Sequence, residues 1–282
     1  MRNLNFITLA AAALGAVVGI NAAAAADLPT RTYTKAPVMA ASYDWTGFYL
    51  GVNAGGAWSQ SDAATTTVFS PIGYFATTSP GAIAIAGAQR INASGFTGGL
   101  TVGYNWQASN IVFGLESDFN YLGLKGSSTG SGIYPCCAPT GFTVNSSVST
   151  DWLITLRPRV GVAANNWLFY VTGGLAVGSV KSNFNFTDTF ATAAESASMS
   201  QTRTGWTVGA GSEYALMNGW SVKAEYLYVD LGRQSTTSTN LVASVAPFVF
   251  PSNVYTHSVD LRTNIVRVGL NYKFGGPVVA SY

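Results

Sequence analysis

The chain has 282 residues, of which 48% are hydrophobic and only 9% are charged, whereas an average globular domain is about 25% charged. The low charge excludes an ordinary cytosolic surface, and the aromatic content of 13% excludes a disordered chain. With 14 Lys and Arg against 12 Asp and Glu, the chain lacks the clustered basic face of a nucleic-acid-binding protein. Beyond the N-terminus, no stretch approaches the roughly 18 apolar residues of a transmembrane helix. Two classes remain: an all-β soluble protein and a membrane β-barrel.

Residues 1–26 predict a cleaved signal peptide. A single arginine is their only charge, an apolar stretch covers residues 6–20, and Ala24 and Ala26 fit the small-residue pattern of a cut before Asp27. A short membrane anchor is the alternative reading. It is less favoured because the stretch is short for a span and no basic stop-transfer flank follows it. The sequence therefore predicts an exported protein.

Residues 27–43 contain two prolines and no hydrophobic period, which predicts a flexible leader. From residue 44 to residue 274 the sequence changes to a period-two alternation, which is typical of β-strands. A tail of residues 275–282 follows this domain. Eight segments stand out, and they cover residues 44–58, 94–106, 111–121, 151–162, 167–178, 203–214, 220–229 and 263–274. The fifth, 167–178, is apolar on both faces and is harder to orient.

The connections between these segments alternate strictly between short and long. Tight turns lie at 107–110, 163–166 and 216–219, and long stretches rich in Ser, Thr, Ala, Gly and Asn lie at roughly 59–93, 122–150, 179–202 and 230–262. Each segment is about long enough for the ~9–11 residues of a tilted membrane strand. The pattern predicts an all-β fold: a membrane-spanning, eight-stranded antiparallel up-and-down barrel with short periplasmic turns and four long extracellular loops.

Nine charged residues of the segments fall on the parity opposite the large apolar side chains, so they are expected to face the bore. A one-residue slip would turn them toward lipid, at a cost of roughly 2–4 kcal/mol for each Arg or Lys at mid-bilayer. Side chains fill the bore of an eight-stranded barrel, and buried charges require partners. We therefore predict an interior ion-pair network, formed by Glu116, Asp118, Arg157, Arg159, Glu213, Lys223, Glu225, Arg267 and Lys273.

Two further features concern the backbone and the aromatic residues. Pro158 removes a ladder hydrogen bond in a barrel without edges, so a local bulge is expected there. Tryptophans near the segment ends suit the aromatic girdles at the two membrane interfaces, although aromatic residues also favour strands in general. These tryptophans are Trp45, Trp106, Trp152, Trp167, Trp206 and Trp220.

Few residues point to catalysis, metal binding or a cofactor. Cys136 and Cys137 are adjacent, so they cannot form a four-ligand zinc site by themselves. A vicinal disulfide, partners on another chain and free thiols all remain open. The single histidine, His257, is followed by Ser258, but adjacent strand residues point to opposite faces, which makes the pair a poor catalytic dyad. No phosphate-binding or metal-spaced motif is present, so we predict no cofactor and no metal.

Together these segments resemble a known protein family. The runs that carry the resemblance are DWTGFYLGVNAGGAW, GLESDFNY, RPRVGVA, FYVTGGLAVG, GWTVGAGSEYAL, WSVKAEYLYVDLG and NIVRVGLNYKF. They are similar to the small outer-membrane β-barrels of alphaproteobacteria, the OmpA-like surface antigens often labelled as a porin family, from Asp44 to Phe274. The resemblance implies eight antiparallel strands, an outer-membrane location, and roles in envelope integrity and surface interaction.

The resemblance also implies an assembly signal in the last strand, read by the barrel-assembly machinery during insertion. The matching residues are Val266, Val268, Leu270, Tyr272 and Phe274. This chain departs from the family pattern because the residues GGPVVASY follow Phe274. Tyr282 is a second terminal aromatic residue, but Pro277 interrupts a strand reading of the tail.

These observations lead to one functional expectation and two rivals. The expectation is a non-enzymatic outer-membrane scaffold whose loops contact lipopolysaccharide, a host ligand or neighbouring cells, with membrane lipid around the barrel and no nucleic-acid partner. A narrow diffusion channel is the first rival. A lipid-modifying outer-membrane enzyme is the second.

Overall fold

The computed structural model describes residues 43–244 and 248–275. These residues form ten β-strands and one short α-helix. Their bounds are β1 Gly47–Thr67, α1 Ser79–Gly87, β2 Gln89–Ala108, β3 Ile111–Ile133, β4 Gly141–Ala164, β5 Trp167–Asp188, β6 Ala193–Ala215, β7 Trp220–Ser238, β8 Val242–Ala243, β9 Phe248–Val249 and β10 Tyr255–Lys273. The predicted signal peptide, the leader up to residue 42 and the tail after Gly275 lie outside the described residues.

Eight of the strands close into a ring. Each strand from β1 to β6 pairs antiparallel with the strand that follows it, β7 pairs with β10, and β10 pairs with β1. The short hairpin of β8 and β9 extends β6 beyond the ring. The predicted eight-stranded antiparallel barrel is confirmed. Within the described residues, no helix has the length and hydrophobicity to cross a membrane.

The short turns lie at one end of the ring, as predicted. Two-residue turns join β2 to β3 and β4 to β5, and residues 216–219 join β6 to β7. Ser109, Asn165 and Asn218 have φ values of 57°, 53° and 60°. Asn tolerates this left-handed conformation better than most residues because its short side chain can bond the local backbone. We call this end the short-turn end and the opposite end the loop end.

The connections at the loop end are shorter than predicted because the strands continue far beyond the alternating segments. The ring strands have 19 to 24 residues, about twice the length of a membrane strand. Only residues 68–88, 134–140, 189–192 and 239–254 connect them. Most of the stretches interpreted as loops are therefore strand. Their abundant Ser, Thr and Asn residues lie largely on an outward face that has no need to be apolar.

The outward surface of the ring has two zones. In the half next to the short-turn end, which we call the apolar band, large apolar side chains face outward on all eight strands. The band covers residues 48–58, 96–106, 111–121, 152–162, 167–177, 206–214, 220–228 and 264–274. Among its described outward side chains none is charged. The remaining strand residues at the loop end, which we call the extension, face outward mostly with Ser, Thr, Asn and charged side chains.

The ladder changes register where the band meets the extension. The irregularities lie between Tyr121 and Leu124, between Ser149 and Leu153, and between Asp260 and Arg262. In β4 the irregularity also changes which parity faces inward, from even residue numbers before it to odd numbers after it. Bulges of this kind re-aim side chains, and here they let one strand satisfy two different surroundings.

The predicted bulge at Pro158 is wrong. Pro158 pairs with Leu115 of β3 without a shift of register. On the side of β5, the two residues between Leu156 and Arg159 have no paired residue. The register of the β4–β5 ladder is the same before and after this gap. The Thr172 hydroxyl donates to the Pro158 carbonyl at 2.9 Å. A local gap in one ladder is therefore enough to accommodate the missing N–H group.

The bore is filled by side chains along its length. An apolar cluster of Trp45, Val112, Ala163, Leu168, Tyr170 and Ala215 closes the short-turn end. A larger cluster that includes Ile91, Leu124, Val180 and Leu227 fills the middle, and aromatic residues including Phe75, Phe142 and Phe186 close the loop end. Trp45 was expected in a girdle, but it is only 2% exposed. It precedes β1, where its backbone N–H bonds Gln107 Oε1 at 2.8 Å, and it packs beneath the bore.

Candidate functional site

The main polar feature of the bore is a layer of charged side chains at the level of the apolar band. Eight of the nine residues predicted for an interior network lie in it, each at most 4% exposed. We call this set the ionic layer. Its members are Glu116 and Asp118 of β3, Arg157 and Arg159 of β4, Glu213 of β6, Lys223 and Glu225 of β7, and Arg267 of β10.

Arg157 is the centre of the ionic layer. Its Nη2 lies 2.6 Å from Glu116 Oε1 and 2.5 Å from Asp118 Oδ2, and its Nη1 lies 3.1 Å from Glu225 Oε1. The guanidinium group is planar and carries five N–H donors, so it can bond three carboxylates at once. Arg157 thereby ties β4 to β3 on one side and to β7 across the bore.

Two further cations complete the central group. Arg267 Nη2 lies 2.5 Å from Glu225 Oε2 and 2.9 Å from Asp118 Oδ2. The Lys223 ammonium group lies 3.0 Å from both carboxylate oxygens of Glu116. Each buried carboxylate here therefore meets at least two cations, which offsets the cost of removing it from water.

Arg159 forms the part of the layer nearest the short-turn end. Its Nη1 lies 3.3 Å from Glu116 Oε2 and 3.2 Å from Glu213 Oε2. The guanidinium carbon also lies 4.8 Å from the ring centre of Tyr49 and 5.0 Å from that of Tyr170. Both distances are within the range of cation–π attraction, so Arg159 is held by charge and by aromatic faces together.

Uncharged hydrogen-bond donors complete the ionic layer. The distribution of charged residues in the sequence did not predict them. Tyr49 donates to Glu116 at 2.7 Å, and Tyr170 donates to Glu225 at 2.9 Å. Thr101 bonds Asp118, and Ser221 and Asn271 bond Glu213. The sequence could have identified Tyr49, because it has the inward parity of its segment. It could not have identified Tyr170, because the segment that contains it is apolar on both faces and does not show which face is inward.

Glycines make room for the two tyrosines. A Cβ atom at Gly103 would collide with the Tyr49 hydroxyl, and one at Gly211 would lie 2.5 Å from the Tyr170 hydroxyl. Small inward residues thus allow large polar neighbours in a narrow bore.

Lys273 does not belong to the ionic layer, which corrects the prediction for this residue. It is the last residue of β10, and its ammonium group bonds the backbone carbonyl of Asp44 and lies 4.4 Å from the ring centre of Tyr43. Parity alone pointed it inward. At the end of a strand, however, a long side chain can reach water and the neighbouring backbone instead of the bore.

The residues proposed as an assembly signal lie together on the outside of the last strand. Val266, Val268, Leu270, Tyr272 and Phe274 are each between 36% and 60% exposed. They form a continuous outward row on and just beyond β10, opposite in parity to Arg267. The arrangement leaves this row free to contact lipid or another protein.

A second buried polar group lies inside the extension, in a stretch that was interpreted as loop. His257 Nε2 lies 3.2 Å from Glu195 Oε1, and both side chains are fully buried. His257 Nδ1 lies 3.0 Å from Thr65 Oγ1, and the ring of Phe184 stacks on the imidazole at 4.7 Å. Ser258 is only partly buried, and its side chain has no hydrogen bond to this group in the described residues.

The loop end contains a hydrogen-bonded group around Asp188 and a vicinal disulfide. The hydroxyls of Tyr74 and Tyr134 donate to Asp188 Oδ2 at 2.7 and 3.0 Å. Burial and the Asp188 carboxylate raise the pKa of both phenols above the usual range. Of the alternatives for the cysteines, the structure has the disulfide between Cys136 and Cys137, in the connection that also contains Tyr134.

The ionic layer fills the cross-section of the bore, and its charges are balanced. Four carboxylates balance four cations, and the exposure of Arg157 and Lys223 is 0%. General acid–base chemistry would require a substrate to reach one of these groups, and the apolar clusters on either side of the layer deny such access. Within the described residues, no group of three or more His, Cys, Asp or Glu side chains is placed to hold a metal ion.

Comparison with known proteins identifies the family. A model of the outer membrane protein beta-barrel domain matches residues 10–274. The chain belongs to this outer-membrane β-barrel family. It is therefore located in the outer membrane of a Gram-negative bacterium.

Relatives within the family are outer-membrane proteins of alphaproteobacteria. The 31 kDa outer-membrane immunogenic protein of Brucella melitensis is 39% identical over 86% of this chain and 88% of its own length. The 22 kDa outer membrane protein of Rhizobium leguminosarum is 33% identical over 85% of this chain and 82% of its own length. The crystal structure of OprG from Pseudomonas aeruginosa aligns with a TM-score of 0.41 at 14% identity, covering 81% of this chain and 97% of that chain.

Proposed function

We propose that this family member is a non-enzymatic scaffold that holds the extension and the loop end outside the cell. The observation that carries the proposal is the filled bore. The ionic layer blocks it at the level of the apolar band, and apolar clusters lie on both sides. A barrel of this kind offers neither a water path nor a site open to substrate, so its outer surface is where it can act.

The working surface in this proposal is the polar wall of the extension together with the connections at its tip. These connections expose apolar side chains, among them Ile72, Ile85, Phe190 and Phe248, at 60% to 83%. Contacts of this surface with lipopolysaccharide, with a host ligand or with neighbouring cells fit such a mixture of polar and apolar groups. The name "immunogenic" given to the Brucella relatives supports an exposed surface.

Conductance in planar lipid bilayers tests the closed bore. The purified full chain is expected to give no stable, reproducible channels, while a channel-forming porin reconstituted in the same bilayer gives steps. Reproducible conductance steps from this chain would overturn the scaffold proposal in favour of the narrow-channel alternative.

Lipid analysis tests the lipid-modifying alternative. Cells that express the parent chain and cells that express the variant His257→Ala are expected to have the same lipid composition. A difference between them would favour the lipid-modifying alternative.

Surface proteolysis of intact cells tests the orientation. Short turns face the periplasm in bacterial outer-membrane barrels, so the loop end should be the exposed one. Added protease is expected to cut the connections at 68–88 or 239–254 and to leave the residues of the apolar band protected. Cleavage confined to the short turns of permeabilised cells would contradict this orientation.

We also propose that the outward row ending at Phe274 is read by the barrel-assembly machinery. Deleting residues 275–282 is expected to leave membrane assembly unchanged, whereas the single change Phe274→Ala should reduce it. Loss of assembly on deletion of the tail would instead assign the signal to residues after Phe274.

A further inference from the structure

A pocket of about 340 Å³ lies on the outer wall of the barrel, outside the ionic layer and away from the loop tips. It spans β2, β1, β10 and β7, which are neighbours in the ring. The residues that line it are Trp58, Gln60, Asp62, Arg90, Tyr228, Arg262 and Asn264.

The pocket lies at the junction between the apolar band and the extension. Trp58 and Tyr228 are the last aromatic residues of the band on β1 and β7, and the ring of Trp206 packs on Tyr228 at 5.4 Å. Aromatic residues of membrane barrels mark the interface between hydrocarbon and headgroups. The polar half of the pocket is therefore at the height of lipid headgroups, with aromatic faces below it.

The polar half of the pocket contains two arginines, and each lies beside acidic side chains. Arg90 Nε lies 3.3 Å from Asp62, with the two side chains 66% and 51% exposed. Arg262 lies 3.0 Å from Asp260 and 3.6 Å from Asp230. In turn, Asp260 accepts the backbone N–H of Asp62 at 2.7 Å.

The two guanidinium groups keep donors free for a ligand. Within the described residues, the side-chain contacts of Arg90 use Nε alone, and the closest contact of Arg262 uses Nη2. Arg is the side chain best suited to bind phosphate in a bidentate manner. Exposed ion pairs contribute little to stability, so a phosphate group with two charges can compete with the carboxylates for these donors.

We propose that this pocket binds the phosphorylated sugar headgroup of an outer-leaflet glycolipid. The arginines would hold a phosphate monoester, Trp58 and Tyr228 would pack on the sugar ring, and the amides of Gln60 and Asn264 would bond its hydroxyls. The proposal deepens the scaffold function and rests on its orientation, because the loop-side interface must face the outer leaflet.

Binding of lipid A by the full chain in detergent micelles tests the proposal, with diphosphorylated and chemically dephosphorylated lipid A as probes and native mass spectrometry as the readout. The double variant Arg90→Gln with Arg262→Gln is expected to bind diphosphorylated lipid A at least tenfold more weakly. The matched control is Lys125→Gln with Lys181→Gln, which removes the same charge from strands that do not line the pocket. The control should bind within twofold of the parent chain.

A third variant distinguishes specific binding by the two guanidinium groups from general attraction between opposite charges. Arg90→Lys with Arg262→Lys keeps the charge but loses the bidentate donors, so a loss of several-fold is expected. Equal weakening of all three variants, or none in the arginine variants, would overturn the proposal. Inorganic phosphate in millimolar excess should not displace the lipid; displacement would show a site for the free anion instead. Altered heat-dependent gel migration identifies a variant that has failed to fold.

The outcomes are independent of those for the scaffold. Channel conductance would defeat the closed bore without affecting lipid binding. Unchanged binding by Arg90→Gln with Arg262→Gln would defeat the pocket and leave the scaffold proposal in place.

Discussion

The apolar band and the extension are halves of the same strands, yet they are built with opposite polarity. In the band, apolar side chains such as Phe119 and Val268 face outward, and the ionic layer lies inside. In the extension, Phe184, Phe186 and Tyr255 lie inside, and the outer face is polar. The first arrangement suits lipid outside, and the second is that of a soluble protein in water.

The contrast teaches that alternation identifies two faces of a strand but not which of them is the core. In lipid, an apolar side chain gains little free energy by moving from the outer surface into the bore, because both surroundings are apolar. Paired polar side chains can therefore occupy the interior. In water, burial of apolar area is the dominant favourable term. The register changes at the junction allow one strand to meet both conditions.

The largest effect is expected from breaking the ionic layer at Arg157. The change Arg157→Met leaves Glu116, Asp118 and Glu225 without their shared cation, and breaking a buried ion pair in this way costs about 3–5 kcal/mol. Urea unfolding in lipid vesicles, followed by tryptophan fluorescence, measures the loss of unfolding free energy.

The control for this prediction is Lys181→Met, which breaks an ion pair with Asp151 whose members are 48% and 42% exposed. A loss of at most about 1 kcal/mol is expected there. Equal losses for the two variants would mean that the ionic layer is not the main polar support of the band.

An effect of similar size concerns the apolar interior of the extension. Phe186 is fully buried among aromatic rings, so Phe186→Ala is expected to cost about 3–5 kcal/mol. We expect this loss as local opening of the loop end, detected as faster proteolysis of the extension while the band stays protected. Phe190→Ala is the matched control because Phe190 is 60% exposed. Loss of protection in the band as well would show that the two halves unfold together.

The smallest of the three effects comes from a charge on the outward face. Val268→Arg places a cation against lipid and is expected to cost roughly 2–4 kcal/mol at mid-bilayer. Thr256→Arg, on the outward face of the same strand in the extension, should change stability by less than about 0.5 kcal/mol. Urea titration in vesicles compares the two. Similar costs would contradict a difference in solvent between band and extension.

Alternation predicted the band well and the extension poorly. Lipid requires an uninterrupted apolar outer face, so the period-two signal is strong in every band segment except the fifth, which is apolar on both faces. In the extension, Ser and Thr interrupt it and favour a loop interpretation. A weaker signal was still present, because Phe142, Val144 and Val148 alternate on β4, and Phe184 and Phe186 alternate on β5. Read in this way, these residues predict continued strands.

Eight of the nine predicted interior charges could be placed from parity, since a charge facing lipid is costly wherever it lies on a band strand. Lys273 could not, because a strand end offers water as an alternative to the bore. The orientation of Tyr170 was also beyond the pattern, since both faces of its segment are apolar. Its position depends on Gly211 and Glu225, which lie on the two following strands.

By itself, the sequence determined the number of membrane strands, which alternate residues of these strands face lipid, and the inward placement of the charges. Each of these follows from the cost of exposing polar groups to lipid. Only the tertiary structure decided which carboxylate meets which cation. Asp118 and Arg267 are 149 residues apart in the chain, and Glu116 and Lys223 are 107 apart. Closure of the ring brings such groups to one level of the bore, and no local pattern encodes that meeting.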